Sequence, residues 1–489
     1  MNRLSRTIVK PTPKYRKFDP SEGPVVDGAS RFETPMNLEE YGYVEEEYLI
    51  SGEANTYAWP NLHLAPVITN SGCPYCSRII VRKPKDPAKF SGIVAFESFN
   101  GSFTIDHCNA GWGLTCEEIL ASGDAWVGYT KDGNCLASLR EINPVKYGEV
   151  GLPNPLPEEE RGDQGWDPMF EYFQKHGLEF VMKFDSAYER SLVFDMVFQM
   201  VALLKSGLPG SPFAGFDVRK VIGIGINDYN SYIAGFQDLM VLENGDPVID
   251  GYLMYMSGGG GWIAYNHDMF DFTDPRCSRR CGVPVIRVET AGDMRDVPPH
   301  PFWAALWRCE DSDEPGNASR WYEIPGLGVG AAFRQDISCF AGEEDYAALG
   351  MTRRGRDEKR LYWNQMCLHI YQAAFHNLKD WITEAKLPPK QEEYLQLTGM
   401  YPNVSFTLDE YGNHIGGIRH PYVEVPAASW DDASNCEMFD RETREALYSD
   451  HQDYVNKVRA YAEKMVEERW ILPRAVEMLV RQAEELPWD

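Results

Sequence analysis

One short stretch of this sequence can do chemistry by its position alone. The run Lys220-Val-Ile-Gly-Ile-Gly-Ile226 is short, apolar and rich in isoleucine, and Asn227-Asp228-Tyr229-Asn230 follows at once, ahead of the helix-like SYIAGFQDLMVL. A strand that turns this sharply into a helix exposes one side chain above the carboxyl edge of a sheet, and here that side chain is Asn227. An amide has no ionisable proton near neutral pH, so Asn227 cannot form an acyl-enzyme, although it can donate a hydrogen bond. Asp228 and Tyr229 are placed to act as acid or base if burial tunes them, or else simply to begin the helix, where an acidic residue is favoured. Gly223 and Gly225 also fit the start of a dinucleotide-binding turn, but Asp228 stands where its third glycine would be needed.

Other candidates lie further along the chain. Asp293, in Thr290-Ala291-Gly292-Asp293, reads either as the acid of a catalytic set or as a cap on the next turn. His267, His300, His414 and His420 lie in segments expected to be loops, each either catalytic or a packing residue. Cys73/Cys76 and Cys277/Cys281 have spacings usable by a metal, without a second Cys or His pair at zinc-ribbon spacing, so no metal and no cofactor is expected.

These residues need a sheet to hold them. The runs 77–82, 92–98, 124–130, 220–226, 251–256 and 283–289 read as strands, most of them fully buried. Residues 111–123, closed by Gly123, and 189–205, with apolar residues at spacings of three and four, read as helices. Alternation of this kind predicts an α/β fold with a mostly parallel central sheet covered on both faces. Residues 1–70 read as an N-terminal arm or edge strands, and 71–489 as one decorated domain. Within it, 131–185 reads as a loop-rich excursion, 340–400 as a helical insertion, and 360–378, 442–469 and 473–486 as helices.

Several stretches resemble the large α/β-hydrolase-domain family that carries a Gly-x-Ser-Gln-Ser elbow. They are SRIIVRKPKDPAKFSGIVAFESFN, VIGIGINDYNSYIAGF with IDGYLMYMSGG, VPVIRVETAGDM, RWYEIPGLG, EYGNHIGGIRHPYVEVPAAS and LYSDHQDYVNKV, in that order. The resemblance implies the α/β-hydrolase fold and places Asn227 where the nucleophilic serine would be, with Asp228 and Tyr229 in place of Gln and Ser. It makes Asp293 a candidate acid and implies a histidine soon after RWYEIPG, where this chain continues Leu327-Gly328-Val329-Gly330. His420, in the family-like GGIRHP segment, is the most interesting substitute. The resemblance also implies an oxyanion hole built from the Asp228 amide and an amide within Asn100, Gly101 and Ser102.

Composition narrows the class. A formal charge of −27, with 74 acidic and 47 basic side chains, disfavours nucleic acid and anionic membrane surfaces as partners. No stretch approaches the roughly 18 to 20 apolar residues of a membrane span, and the chain starts without an apolar leader, so a cytoplasmic location is expected. Eleven cysteines cannot all pair with one another. Aromatic residues make up 13% of the chain, and Phe302, Trp303, Trp307 and Trp321 cluster in sequence, which suits a hydrophobic ligand or an ordinary core. The leading expectation is a non-hydrolytic enzyme that reuses a hydrolase pocket for isomerase, cyclase, cycloaddition or lyase chemistry. Its substrate would be a hydrophobic carbonyl compound such as a polyketide or terpenoid, as in natural-product biosynthesis. The alternatives are a non-catalytic pseudo-hydrolase that binds a small molecule or partner, and a hydrolase with a displaced triad.

Overall fold

The structure is a computed structural model. It describes residues 7–10, 13–32, 35–58, 66–99, 101, 106, 109–161, 185–226, 229–255, 281–296, 308–328, 347–350, 360–400, 403–432 and 435–488, with only the backbone for 226, 229–232, 296 and 360–364.

The strands are β1 (Thr7–Ile8), β2 (Lys14–Lys17), β3 (Tyr43–Ala58), β4 (Val67–Pro84), β5 (Ile93–Ser98), β6 (Ala125–Tyr129), β7 (Lys220–Ile226), β8 (Met240–Val241), β9 (Gly251–Tyr255), β10 (Val285–Thr290) and β11 (Ser319–Ile324), followed by two short hairpins. Nine of them form one sheet in the order β11-β10-β9-β7-β5-β6-β4-β3-β2. From β6 to β11 the pairing is parallel, and from β6 outward through β4, β3 and β2 it is antiparallel. The edge strand β2 reads Lys-Tyr-Arg-Lys, a charged edge that discourages pairing with another chain.

The helices are α1 (Ala110–Ser122), α2 (Gly133–Ile142), α3 (Pro144–Tyr147), α4 (Leu192–Lys205), α5 (Tyr229–Phe236), α6 (Ala291–Asp296), α7 (Arg360–Glu384), α8 (Pro421–Glu424), α9 (Arg441–Leu447), α10 (His451–Glu467) and α11 (Pro473–Glu485). Alternate strand residues divide them into two layers. Ala95, Trp126, Ile222, Ile224 and Leu253 pack with α1, α7, α10 and α11, whereas Val94, Phe96, Val127, Val221 and Tyr252 pack with α2 and α4. Both faces are therefore buried, which is why these strands read as continuous apolar runs.

The α/β architecture and mostly parallel sheet agree with the sequence, and the differences have local causes. Residue 70 falls inside β4, and β3 is a full member of the sheet; their mixed polarity, as in YVEEEYLISGEANTYA, hides a two-residue period. The excursion at 131–185 contains α2, begun at Asp132 immediately after β6, while 162–184 lies outside the described residues. The single helix read at 442–469 is two, because Tyr448 is extended and the Asp450 side chain accepts from the Asp453 amide at 2.8 Å to cap a new helix. In the span read as a helical insertion, α7 runs to Glu384, and 329–346 and 351–359 lie outside the described residues.

Candidate functional site

All six parallel strands end on one edge of the sheet. β7 stops at Ile226 and α5 starts at Tyr229, so the strand-to-helix turn consists of Asn227 and Asp228, which lie outside the described residues. Gly225 enters that turn with φ at +149°, a conformation open to glycine and costly for other residues. Tyr229 is the first residue of α5, with a side chain outside the described set. Asn100, Ser102, His267, His300, Phe302, Trp303, Trp307 and Cys277 also lie outside it. Gly101 is buried, and its carbonyl accepts from Cys135 Sγ at 3.8 Å. Trp321 lies in the core on β11, its indole donating to Glu323 Oε1 at 2.8 Å, and so belongs to the sheet packing.

Asp293 sits in the first turn of α6 with no exposed surface. Its Oδ2 accepts from the Thr290 amide at 2.9 Å and the Thr290 hydroxyl at 2.6 Å, while the Asp293 amide donates to Thr290 Oγ1 at 3.1 Å. This reciprocal arrangement caps the helix, the second of the two roles its position in the sequence allowed. The loop after β11 passes beside it: the Gly292 amide donates to the Leu327 carbonyl at 2.7 Å, and the Gly326 amide donates to His414 Nδ1 at 3.3 Å. His414 thus reaches the loop at whose end the resemblance implies a histidine. Burial above all holds its pKa down to about 4, so the ring is neutral.

His420 caps α8, its Nδ1 accepting from the Tyr422 amide at 3.4 Å. With Nδ1 an acceptor, Nε2 carries the proton and donates to Nδ1 of His369 on α7 at 3.1 Å. Both rings are buried, and burial together with the neighbouring imidazole pushes the His420 pKa well below its ordinary value. One of its nitrogens thus caps α8 and the other ties α8 to α7.

Sequence reasoning missed two acid-bearing clusters near the ends of β5 and β6. Glu97, on β5, is 1% exposed and accepts from the Gly111 amide at 2.6 Å, the Trp112 amide at 2.8 Å and the Trp126 indole at 2.8 Å. The signal was a lone acid inside the apolar run GIVAFES. In the second cluster, Asp106 accepts from Thr130 Oγ1 and from Arg78 Nη2, the latter at 3.1 Å, and Arg78 is also paired with Asp27 and Glu47. Beside it, Lys131 is buried 3.5 Å from Asp132, and burial brings its pKa down to about 8.

Among the described residues, no group of three His, Cys, Asp or Glu side chains is placed to hold a metal ion. Cys73 and Cys76 are free thiols three residues apart on β4, a spacing that sends them to opposite faces. Among the described residues, no helix is long and apolar enough to cross a membrane.

A nine-stranded, mostly parallel sheet with helices on both faces is an architecture that many proteins share, and comparison with known proteins identifies the family here. The family model described as alpha/beta hydrolase domain matches residues 11–481, and this chain belongs to that family. Similar solved structures include the esterase Est22, at 12% identity over 67% of this chain and 82% of that one, with a TM-score of 0.33. Another is a glucuronoyl esterase from Solibacter usitatus, at 13% identity over 71% and 86%, with a TM-score of 0.31. A third is acetyl xylan esterase 1 from a Thermoanaerobacterium species, at 12% identity over 64% and 81%, with a TM-score of 0.29. No curated protein matches the chain.

Proposed function

We propose that this chain is a non-hydrolytic enzyme that binds a hydrophobic, carbonyl-bearing small molecule at the carboxyl edge of its sheet. In this reading backbone N–H donors at Asp228 and near Gly101 polarise the carbonyl for isomerase, cyclase, cycloaddition or lyase chemistry, with the Asn227 amide as a further donor. The observation that carries the reading is how the edge histidines are spent. His420 has both ring nitrogens engaged with Tyr422 and His369, and His414 accepts a backbone amide through Nδ1, the nitrogen that a triad acid would need as a donor. With Asn227 at the turn, this supports chemistry that needs no acyl intermediate.

A hydrolase with a displaced triad is the second reading, favoured by one observation: the Asp293 turn and His414 meet at the loop formed by Gly326 and Leu327. Two probes separate the readings. Intact-mass measurement after fluorophosphonate treatment is expected to show no adduct, and ¹⁹F NMR is expected to show 2,2,2-trifluoroacetophenone bound reversibly without a tetrahedral adduct. A phosphonylated protein would establish the hydrolase; absence of binding would remove the carbonyl site.

A further inference from the structure

A groove of about 790 Å³ opens on the helical layer, lined by residues between 409 and 464 and by none from the nine-stranded sheet. Its size falls in the roughly 300 to 1,000 Å³ range of small-molecule sites. Lys457, Ala460, Tyr461 and Lys464 lie at i, i+3, i+4 and i+7 of α10 and so share one face. The rest of the lining comes from the turn at 409–411, from Arg419, from the end of α8 and the two residues after it, and from the end of α9.

The walls are charged, but their charges are already matched. Arg419 donates to Asp409 at 3.1 Å and to Glu424 at 2.5 Å, while Lys457 donates to Asp453 at 2.9 Å and to the Leu447 carbonyl at 3.2 Å. The Lys457 and Lys464 ammoniums sit over the rings of Tyr448 and Tyr461, 5.0 and 5.5 Å from their centroids. An anionic ligand would meet Asp409, Glu410 and Glu424, and a cationic one would meet lysines that already hold the ring faces. What remains to a ligand is a mixture of donors and acceptors. The Tyr448 and Tyr461 hydroxyls donate to the Pro426 and Arg419 carbonyls at 3.0 and 3.2 Å, which leaves each oxygen able to accept. Lys464 stands 3.8 Å from Glu468, beyond hydrogen-bond length, and its side chain is more than half exposed, so its N–H groups can donate. The same lining includes the apolar Val425, Pro426, Leu447 and Ala460.

We propose that this groove binds a neutral saccharide. Each hydroxyl of such a ligand both donates and accepts, as the mixed polar groups require, its C–H faces suit the apolar residues, and it brings no charge to upset the existing pairs. A wholly apolar ligand would instead strip water from the ammonium and carboxylate groups without replacing its hydrogen bonds. The proposal does not depend on the carbonyl site.

The test is calorimetric titration of the full chain with cellotetraose, maltotetraose and xylotetraose, and separately with tetragalacturonate and spermine as charged probes. At least one of the three neutral tetraoses is expected to bind, and both charged probes at least about tenfold more weakly. Ala460→Trp, which fills the groove from an exposed position, is expected to weaken the bound tetraose by about tenfold or more. Lys464→Met, which keeps the stem and removes the donors, is expected to weaken it by about fivefold. Failure of all three tetraoses to bind, unchanged binding in Ala460→Trp, or a charged probe bound as tightly as the tetraose overturns the proposal. If Ala460→Trp does not fold, Lys464→Met decides.

Discussion

The two ends of α1 are each built around a buried glutamate, and the surroundings drive the two in opposite directions. At the N-terminal end, Glu97 has neutral N–H donors as its hydrogen-bond partners, and burial wins. Toward the C-terminal end, Glu118 is also buried, but hydrogen bonds from His376, Lys379 and Arg474 and the Lys379 charge outweigh burial and hold its pKa far below the usual carboxylate range. Burial alone therefore does not set a carboxyl's state; the charge on its partners does. One end of the helix is locked at physiological pH, while the other is poised to titrate.

The largest effect should come from breaking the locked end. Glu118→Ala leaves Lys379 and Arg474 without their shared anion and is expected to cost about 3 to 5 kcal/mol in urea unfolding. Glu97→Gln is expected to cost less, about 1 to 3 kcal/mol near pH 4.5 and less as pH rises toward 7, since the amide puts a donor among donors. A third outcome concerns the sign of the pH dependence. The lowered Glu118 contributes stability that is present above its unfolded value and lost as pH falls through its folded one. The raised Glu97 contributes stability that is full below its unfolded value, near 4.5, and lost as pH rises toward about 7. Relative to the parent, the urea midpoint of Glu97→Gln should rise as pH goes from about 4.5 to 7, while that of Glu118→Gln should change only below about 4.5; a Glu97→Gln difference that is flat across the upper window would refute the contrast. The smallest effect, about 0.5 to 1.5 kcal/mol, is expected for Ser122→Ala, which removes a hydroxyl hydrogen-bonded to both Glu118 and Lys379.

What could be read from the sequence follows the same division between local pattern and distant partner. Five of the six parallel strands were legible because both of their faces are buried, and α1 because Gly123 closes it in the left-handed conformation, whereas β11, reading SRWYEI, has no apolar run and was not. The turn after β7 was legible in place, from Ile226 to Tyr229. The long pair β3 and β4 was not, because its burial changes along its length, from the exposed Val67 and Ile68 to the buried Ile79 and Ile80. Glu97 was missed as a cap because its targets lie 14 and 15 residues on, with no local motif joining them. The pairing of His420 with His369 spans 51 residues, and a histidine in a family-like segment does not announce that its partner is another imidazole.

The Glu118 cluster also has a consequence for synthesis. Arg474 stands 356 positions after Glu118, and Lys379 stands 261 positions after it. A ribosome completes α1 and the strands on either side of it long before either cation emerges. Until then the nascent helix carries a carboxylate at a site that will later be buried, so the α7 and α11 layer can close over α1 only near the end of translation. Truncations that remove α11 should then leave a chain whose early strands are complete but whose helical layer cannot seat, a species open to chaperone capture or proteolysis.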